Sequence, residues 1–345
     1  MRFTLLTLSL AAMLAAFAPP AKQRVTLKRE KQRVVVMVDG KLFTAFIYPD
    51  ASVLKKPALY PILTATGNPI TRGWPLDPRP GERVDHPHHV GMWFNYGDVN
   101  GHDFWNNSTV LGPEHKGPMG TIVTTNIAKL NEVGNRAELT VESDWQDSAG
   151  KPMVKESTLY TFEADGQNRR IDRQTTLTAL GGDVTFKDNK EGLVAIRLAR
   201  QLEHPSTKAE IFTDASGKAT PVASLNNDGI TGHYHSAIGK EGDAVWGTRA
   251  PWVELTGTLT GNEPVSVVLF DNPKNVGYPT YWHARGYGLF AANPLAPSIM
   301  SAGNDAPMNY ILKVGQSVTF RHRLLIAPGT LTDSQIAEEA AQFGK

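Results

Sequence analysis

The sequence contains no cysteine among its 345 residues. This absence excludes disulfide bonds, lipid attachment through an N-terminal cysteine and every metal site built from thiolates. An excess of charge of one sign is lacking as well, because 35 basic and 34 acidic side chains nearly cancel and are scattered along the chain. The sequence therefore shows no electrostatic footprint of a protein that binds nucleic acid or an anionic membrane.

The sequence also lacks an apolar run of the roughly 20 residues that a membrane span needs. The apolar stretch that follows Arg2 and ends near Ala18 is shorter and has the form of a signal-peptide core. We predict a signal peptide over residues 1–21 and a single domain over residues 22–345. Export without disulfides suits a bacterial periplasm or the extracellular space.

Helical periodicity is nearly absent until the last residues. Residues 137–145 alternate strictly between apolar and polar side chains, which is typical of a half-buried antiparallel strand. Asp39-Gly40 between two apolar stretches favours a two-residue hairpin turn. Residues 183–203 are predicted as a strand pair around Lys190-Glu191-Gly192, and residues 51–83 and 214–250 as loops. Further strands are predicted over residues 153–162, 171–180, 252–259, 264–270 and 317–326.

One helix is predicted at the end of the chain. Thr332 and Gln335 have the spacing of a capping box, and an amphipathic stretch follows over residues 336–343. The fold class is therefore all-β: a large antiparallel β-sandwich with long loops and a C-terminal helix.

Side chains that can do chemistry are concentrated in residues 85–105. In an extended backbone, His86 and His88 would point to one side and His89 to the other, and Pro87 keeps the segment at an edge or in a loop. Two interpretations stay open. The histidines are either metal ligands of the H-x-H type, or proton donors and acceptors for a polyhydroxylated ligand.

Other candidate site residues lie on both sides of this segment. Trp93 and Trp105 are candidate stacking surfaces, while Asp98 and Asn100 lie in a turn sequence that can still contribute to a site. A second H-x-H pair contains His235, and the aromatic- and glycine-rich residues 281–288 contain His283 and Arg285. His322, on an apolar strand face, is predicted to be a hydrogen-bonded core histidine.

A carboxylate is needed as well, because most sugar-cleaving enzymes use an acid together with a base or nucleophile. Glu191 is the first choice, since it lies between Lys190 and Gly192 directly before an apolar strand. The other candidates are Asp85, Asp98, Asp103, Glu254 and Asp271.

The sequence resembles a bacterial family of unknown function known as PmoA-like or "methane oxygenase PmoA". The resemblance rests on residues 85–89, 97–105 and 282–294, with further matches at 60–75 and 190–192. It departs from the family pattern at Val90 and Gly286, where basic residues are usual. We do not interpret the protein as a methane oxygenase subunit, because such a subunit needs several membrane-spanning helices and the sequence lacks apolar runs of that length.

The resemblance implies a secreted protein of polysaccharide-degrading bacteria and a sandwich like that of galactose-mutarotase-like enzymes, the supersandwich. In such enzymes histidines and a carboxylate perform acid–base chemistry at a sugar carbon. Our leading hypothesis is therefore a carbohydrate-active enzyme, an epimerase, lyase or glycoside-cleaving enzyme, without a cofactor. His86, His88, His89, His283 and Glu191 would carry the chemistry. The ligand would be bound by Arg72, Trp93, Asp98, Asn100, Trp105, His235 and Arg285.

Two alternatives remain. One is an enzyme that depends on a divalent metal held by His86, His88 and a third group such as His235 or His283. The other is a glycan-binding module without catalysis. The leading hypothesis predicts that the named side chains converge on one concave sheet face. None of the three hypotheses involves nucleic acid or a membrane span.

Overall fold

The computed structural model describes residues 23–112, 115 and 117–345. The proposed signal peptide lies outside the described residues. Two helices are present in the described part of the chain, α1 (Pro297–Met300) and α2 (Asp333–Gly344), with short 3-10 turns at Arg200–Leu202 and Gly242–Val245. The strands are β1 (Val25–Glu30), β2 (Arg33–Val38), β3 (Lys41–Ile47), β4 (Ala58–Ile62), β5 (Met92–Tyr96), β6 (Thr121–Val133), β7 (Arg136–Gln146), β8 (Pro152–Asp165), β9 (Asn168–Ala179), β10 (Val184–Phe186), β11 (Gly192–Arg197), β12 (Glu210–Thr213), β13 (Ala219–Val222), β14 (His233–Ser236), β15 (Trp252–Leu259), β16 (Glu263–Asp271), β17 (Tyr281–Arg285), β18 (Leu289–Asn293), β19 (Tyr310–Leu312) and β20 (Ser317–Pro328).

Most strands form two antiparallel sheets of eight strands each. The first sheet has the order β1-β2-β3-β4-β5-β11-β18-β17, and the second has the order β14-β15-β16-β20-β9-β8-β7-β6. Alternation along each strand places one set of side chains between the sheets, where Phe94, Leu139 and Phe290 belong to one continuous apolar core. The predicted all-β sandwich is confirmed.

Local signals in the sequence are realised as predicted at both ends of the chain. Asp39 and Gly40 have φ values of 51° and 77°, as the hairpin between β2 and β3 requires. Thr332 caps α2, because its side chain accepts the N–H of Gln335 while the Gln335 side chain accepts the N–H of Thr332.

The predicted strand pair over residues 183–203 is wrong in its pairing. β10 pairs with β19 in a separate two-stranded sheet, whereas β11 lies between β5 and β18 in the first sheet. All six residues of β11 are buried, which suits a central strand covered on both faces better than one arm of a hairpin. The predicted loops also contain strands, β4 in residues 51–83 and β13 and β14 in residues 214–250.

The outer face of the first sheet carries a row of side chains in register. His283 of β17 pairs with Ala291 of β18, Ala291 pairs with Ala195 of β11, and Ala195 pairs with Trp93 of β5. The two alanines leave room above the sheet, where the Trp105 ring packs in a second apolar cluster. The small alanine side chains on this outer face therefore leave space for large aromatic rings.

The outer face of the second sheet is covered differently. Ile336 of α2 packs there with Trp252, Phe270 and Leu325. Among the described residues, no helix combines the length and the apolar character needed to cross a membrane.

His322 of β20 is a core residue, but it is not hydrogen-bonded as predicted. Its side chain is fully buried, and neither ring nitrogen has a hydrogen-bond partner within the described part of the chain. Burial, with a smaller effect of the Arg173 charge, lowers the pKa of His322 to about 3. A histidine whose pKa is lower in the folded than in the unfolded chain stabilises the fold above the unfolded pKa, and this stability is lost as the pH falls.

Replacing His322 by leucine therefore tests the burial. Between about pH 6 and pH 4, the free energy of unfolding of the wild type is expected to fall more steeply than that of His322→Leu, by roughly 1.4 kcal/mol per pH unit for the one proton taken up. Urea unfolding at a series of pH values measures both slopes. Above pH 7 the two curves should run parallel, and equal slopes below pH 6 would contradict the burial of a neutral imidazole.

Candidate functional site

A cleft of about 820 Å³ lies on the outer face of the first sheet. Its walls come from the histidine segment, from Glu191 before β11, from the end of β17 and from the loop over residues 204–210. The structure thus brings together six of the side chains predicted from the sequence. These are His86, His89, Trp105, Glu191, His283 and Arg285.

The histidine segment is a tight turn and not an extended strand. His86 has a φ of 41°, and the N–H of His89 donates to the carbonyl oxygen of His86 over 2.9 Å. The rings of His86 and His89 consequently stack on each other, with centroids 4.8 Å apart and planes within 2°. The prediction that His89 points away from His86 is wrong, because a positive φ breaks the alternation of an extended backbone.

His88 does not line the cleft. Its ring is nearly perpendicular to those of His86 and His89, and its side chain is buried. Burial, followed by the charge of Lys56, lowers the pKa of His88 well below its usual value. The Lys56 ammonium donates to the His88 carbonyl oxygen over 2.6 Å. His88 is therefore a neutral residue behind the cleft wall.

Asp85 holds the turn together. Its carboxylate accepts hydrogen bonds from Arg72 and, over 2.7 Å, from Nη2 of Arg197, while Nδ1 of His86 lies 3.0 Å from Oδ2. Burial would raise the pKa of Asp85, but Arg197, His86 and Arg72 hold it well below its usual range. Asp85 is therefore a charged acceptor that orients the His86 ring.

Arg72 shapes this turn and does not contact the cleft as predicted. Its side chain is 1% exposed, and its terminal nitrogens are used by the turn itself. Besides Asp85, they donate over 3.0 to 3.3 Å to the main-chain carbonyl oxygens of Arg83, Asp85, His86 and His89.

Arg197 sets the protonation of His89. Nη1 of Arg197 lies 3.1 Å from Nδ1 of His89. A guanidinium can only donate, so Nδ1 is the acceptor and Nε2 carries the proton. Burial, together with the charges of His88 and Arg197, lowers the pKa of His89 well below its usual value. His89 is thus a neutral ring whose Nε2–H has no partner among the described residues.

Four aromatic rings stack in a column that begins in the cleft wall and ends in the protein interior. From the outside inwards, Tyr287 stacks on His86, His86 on His89, and His89 on Trp93, at centroid distances of 5.2, 4.8 and 5.1 Å. Trp93 is completely buried at the base of this column. It therefore supports His89 and is not the exposed stacking surface that the sequence suggested.

Glu191 and His283 form the opposite wall. Nδ1 of His283 lies 3.1 Å from the carbonyl oxygen of Lys190 and 3.7 Å from Oε2 of Glu191. Because a carbonyl can only accept, Nδ1 carries the proton and Nε2 is left as an acceptor. Burial, with the charges of Arg285 and Lys190, lowers the pKa of His283 to about 3. Glu191 itself pairs with the ammonium group of Lys190.

Trp105 closes the floor between these walls. Its ring lies 5.3 Å from that of Trp93 and 6.5 Å from that of His283. The carboxylate of Asp103 fixes this position by accepting the N–H groups of Trp105 and Asn106, and Asn106 also lines the cleft. Trp105 is only 1% exposed, so it offers a ring edge and not an open face.

Three predicted contacts lie elsewhere. Asp98 accepts the N–H of Gly101, and Asn100 exchanges hydrogen bonds with the main chain of Thr185, so both stabilise turns. His235 bonds to Asp333 at the start of α2, on the outer side of the second sheet. Their types and turn contexts suggested a site, but the pairing of the strands separates them from it.

Several residues in or behind the walls of the cleft were not identified from the sequence. Arg197 had a usable signal, because an arginine inside an apolar strand needs a buried anion. His204 and Trp246 had none, since they lie in loops far from the other site residues. Gly286 admits His204, because a Cβ at position 286 would lie 3.0 Å from its Nδ1.

The three histidines of the metal-dependent alternative do not all line the cleft. In the described ranges, no group of three or more histidine or carboxylate side chains is placed to hold a metal ion. His88 lies behind the wall that His86 and His283 line.

Comparison with known sequences assigns the chain to a protein family. The profile of a family of unknown function, DUF6807, matches residues 33–341, so this chain belongs to that family. The name PmoA-like is not supported by this match. No curated protein matches the sequence significantly.

Solved structures give only remote similarities. The GH36 α-galactosidase AgaB from Geobacillus stearothermophilus is 11% identical with a TM-score of 0.37, over 88% of this chain and 41% of that one. A galactose 1-epimerase from Lactobacillus acidophilus NCFM is 10% identical with a TM-score of 0.34, over 90% of this chain and 100% of that one. The chain thus spans about two-fifths of the galactosidase. These values are too low to support any inference about its reaction.

Gly97 makes room for Glu191, which provides a test of this wall. A Cβ at position 97 would lie 2.8 Å from Cβ of Glu191 and 2.9 Å from Oδ1 of Asn189. Gly97→Ala should therefore cost about 1–3 kcal/mol in the free energy of unfolding, because a close-packed contact must shift. Gly182→Ala is the control, since a Cβ there meets no atom within 4 Å. Equal stabilities in urea unfolding would contradict the close packing.

Proposed function

We propose that this protein binds a sugar or another polyhydroxylated small molecule in the cleft and transfers protons at it. The observation that carries the proposal is the His86 imidazole, oriented by Asp85, in the same cleft as Glu191. The reaction class is proton removal and return, as in an epimerase, a lyase or a glycoside-cleaving enzyme.

His86 has the features of a general base. With Nδ1 beside the Asp85 carboxylate, the proton of the neutral ring is held on Nδ1, and the lone pair of Nε2 is free. The side chain is 41% exposed, so a ligand can reach it. The carboxylate also stabilises the imidazolium that forms when Nε2 takes a proton.

Glu191 is the second proton-transfer group. It lies in the opposite wall with its side chain 16% exposed, and Lys190 and His283 are its neighbours. An acid and a base on two sides of one cleft allow a proton to be removed on one side and supplied on the other, which epimerisation, elimination and glycoside cleavage all require.

The neutral histidines suit hydroxyl groups. The partners at Nδ1 make Nε2 of His89 a buried donor without an acceptor among the described residues, and they make Nε2 of His283 an acceptor. A hydroxyl group both donates and accepts, so it can satisfy either ring. Buried polar groups without a partner are costly, which favours a ligand that supplies these hydrogen bonds.

We also propose that the protein acts in the periplasm or outside the cell, as the predicted signal peptide over residues 1–21 implies.

The proposal is tested by screening the purified protein against a panel of glycosides and their 3-keto derivatives. On any substrate that is turned over, His86→Gln and Glu191→Gln should each lower kcat about 10²- to 10⁴-fold, as expected for loss of a general acid or base. KM should change little. His235→Gln is the matched control, because its ring lies on the far side of the sandwich.

The other hypotheses give different results in the same screen. Binding without turnover of any compound would make the protein a glycan-binding module and overturn the catalytic proposal. Stoichiometric metal in protein purified without a histidine tag, with activity lost on chelation, would favour the metal-dependent alternative.

A further inference from the structure

We propose that the sugar taken by this cleft is acidic, and that Arg285 binds its carboxylate. The inference rests on the proposed function and names the substrate class of the same site. The Arg285 guanidinium group is held in place by a ring contact, while its N–H donors are not used by the described part of the chain.

Arg285 lies at the end of β17 and lines the cleft. Its guanidinium carbon is 4.6 Å from the centre of the Trp246 ring, which holds the group by a cation–π contact. Within the described part of the chain, no carboxylate lies within ion-pair distance of Arg285 and none of its guanidinium N–H groups donates to a protein acceptor. Stacking thus orders the group while its donors stay free for a ligand.

Of the three carboxylates that line the cleft, two are paired with a cation and the third, that of Asp243, is exposed to solvent. Glu191 pairs with Lys190, Glu210 with Arg83 at 3.1 Å, and Asp243 lies 3.4 Å from Nδ1 of His204. These are the only carboxylates lining the described cleft. Lys208 also lines it and, like Arg285, has no carboxylate partner among the described residues.

The residues beneath the cleft add to this excess of positive charge. Asp85 binds two guanidinium groups, those of Arg72 and Arg197, and Glu203 binds that of Arg200 in addition to that of Arg83, which it shares with Glu210. No anion in this layer is therefore left to neutralise Arg285 or Lys208. In a partly enclosed cleft, unpaired positive charge attracts an anionic ligand.

A carboxylate fits Arg285 better than a hydroxyl group does. The planar guanidinium presents parallel N–H donors that match the two oxygens of a carboxylate, and charged hydrogen bonds are about twice as strong as neutral ones. Because His283 is only two residues from Arg285 on the same face of β17, a carboxylate at Arg285 would place the sugar ring beside the proton-transfer groups. A uronic acid or its glycoside combines both features.

The experiment compares matched neutral and acidic sugars by calorimetry at low salt. Methyl glucoside and methyl galactoside are paired with methyl glucuronide and methyl galacturonide, and glucose 6-sulfate serves as an anion of different shape. At least one uronide should bind about 10- to 100-fold more tightly than its neutral partner, with the difference shrinking as salt is added. Arg285→Gln should abolish this difference, because the uronide then binds no more tightly than its neutral partner.

Arg29→Gln is the control for net charge, because it removes the same charge from an exposed position on β1. It should keep the preference for the uronide. Equal binding of both sugars by the wild type, preference for the sulfate, or a preference that survives Arg285→Gln would overturn the inference while the proposed function stands. If no sugar of either kind binds or reacts, both fail.

Discussion

The site depends on one partly buried carboxylate, which pairs with two buried arginines. Asp85 forms ion pairs with the guanidinium groups of Arg72 and Arg197 and has His86 as a third partner. Removing one member of a buried ion pair typically costs about 3–5 kcal/mol, because the remaining charge is left without compensation. Here such a loss would also release the main-chain turn that Arg72 holds. The Asp85 carboxylate thus both stabilises the cleft wall and orients the general base, His86.

The sheet supplies the opposite side of the cleft. Register across β17, β18 and β11 places His283 in line with two alanines, and the space above them accommodates Trp105. Glu191 enters directly before β11, where Gly97 allows close approach. The apolar core between the sheets takes no part in the chemistry; it fixes the strands whose outer side chains do.

Features decided by neighbouring residues could be predicted from the sequence. The Asp39-Gly40 hairpin, the Thr332 cap and the alternation in β7 are of this kind, and so is the grouping of chemistry around the histidines. The conformation of His86 could not be predicted, since its positive φ is stabilised by Arg72 from another part of the chain. Side-chain type also failed to separate His235 and Asn100 from the cleft, because only strand pairing decides which loops meet. The most informative missed residues, Arg197 and Trp246, act through contacts distant in sequence.

The most direct test of the Asp85 arrangement is the tautomer of His86, read from ¹⁵N-detected NMR of protein labelled in its histidine rings. We predict that neutral His86 carries its proton on Nδ1, that added ligand perturbs Nε2, and that Asp85→Asn shifts the tautomer while His235 is unaffected. His86 with its proton on Nε2 in the wild type would contradict the account, because the lone pair that is to accept a proton would then not face the cleft.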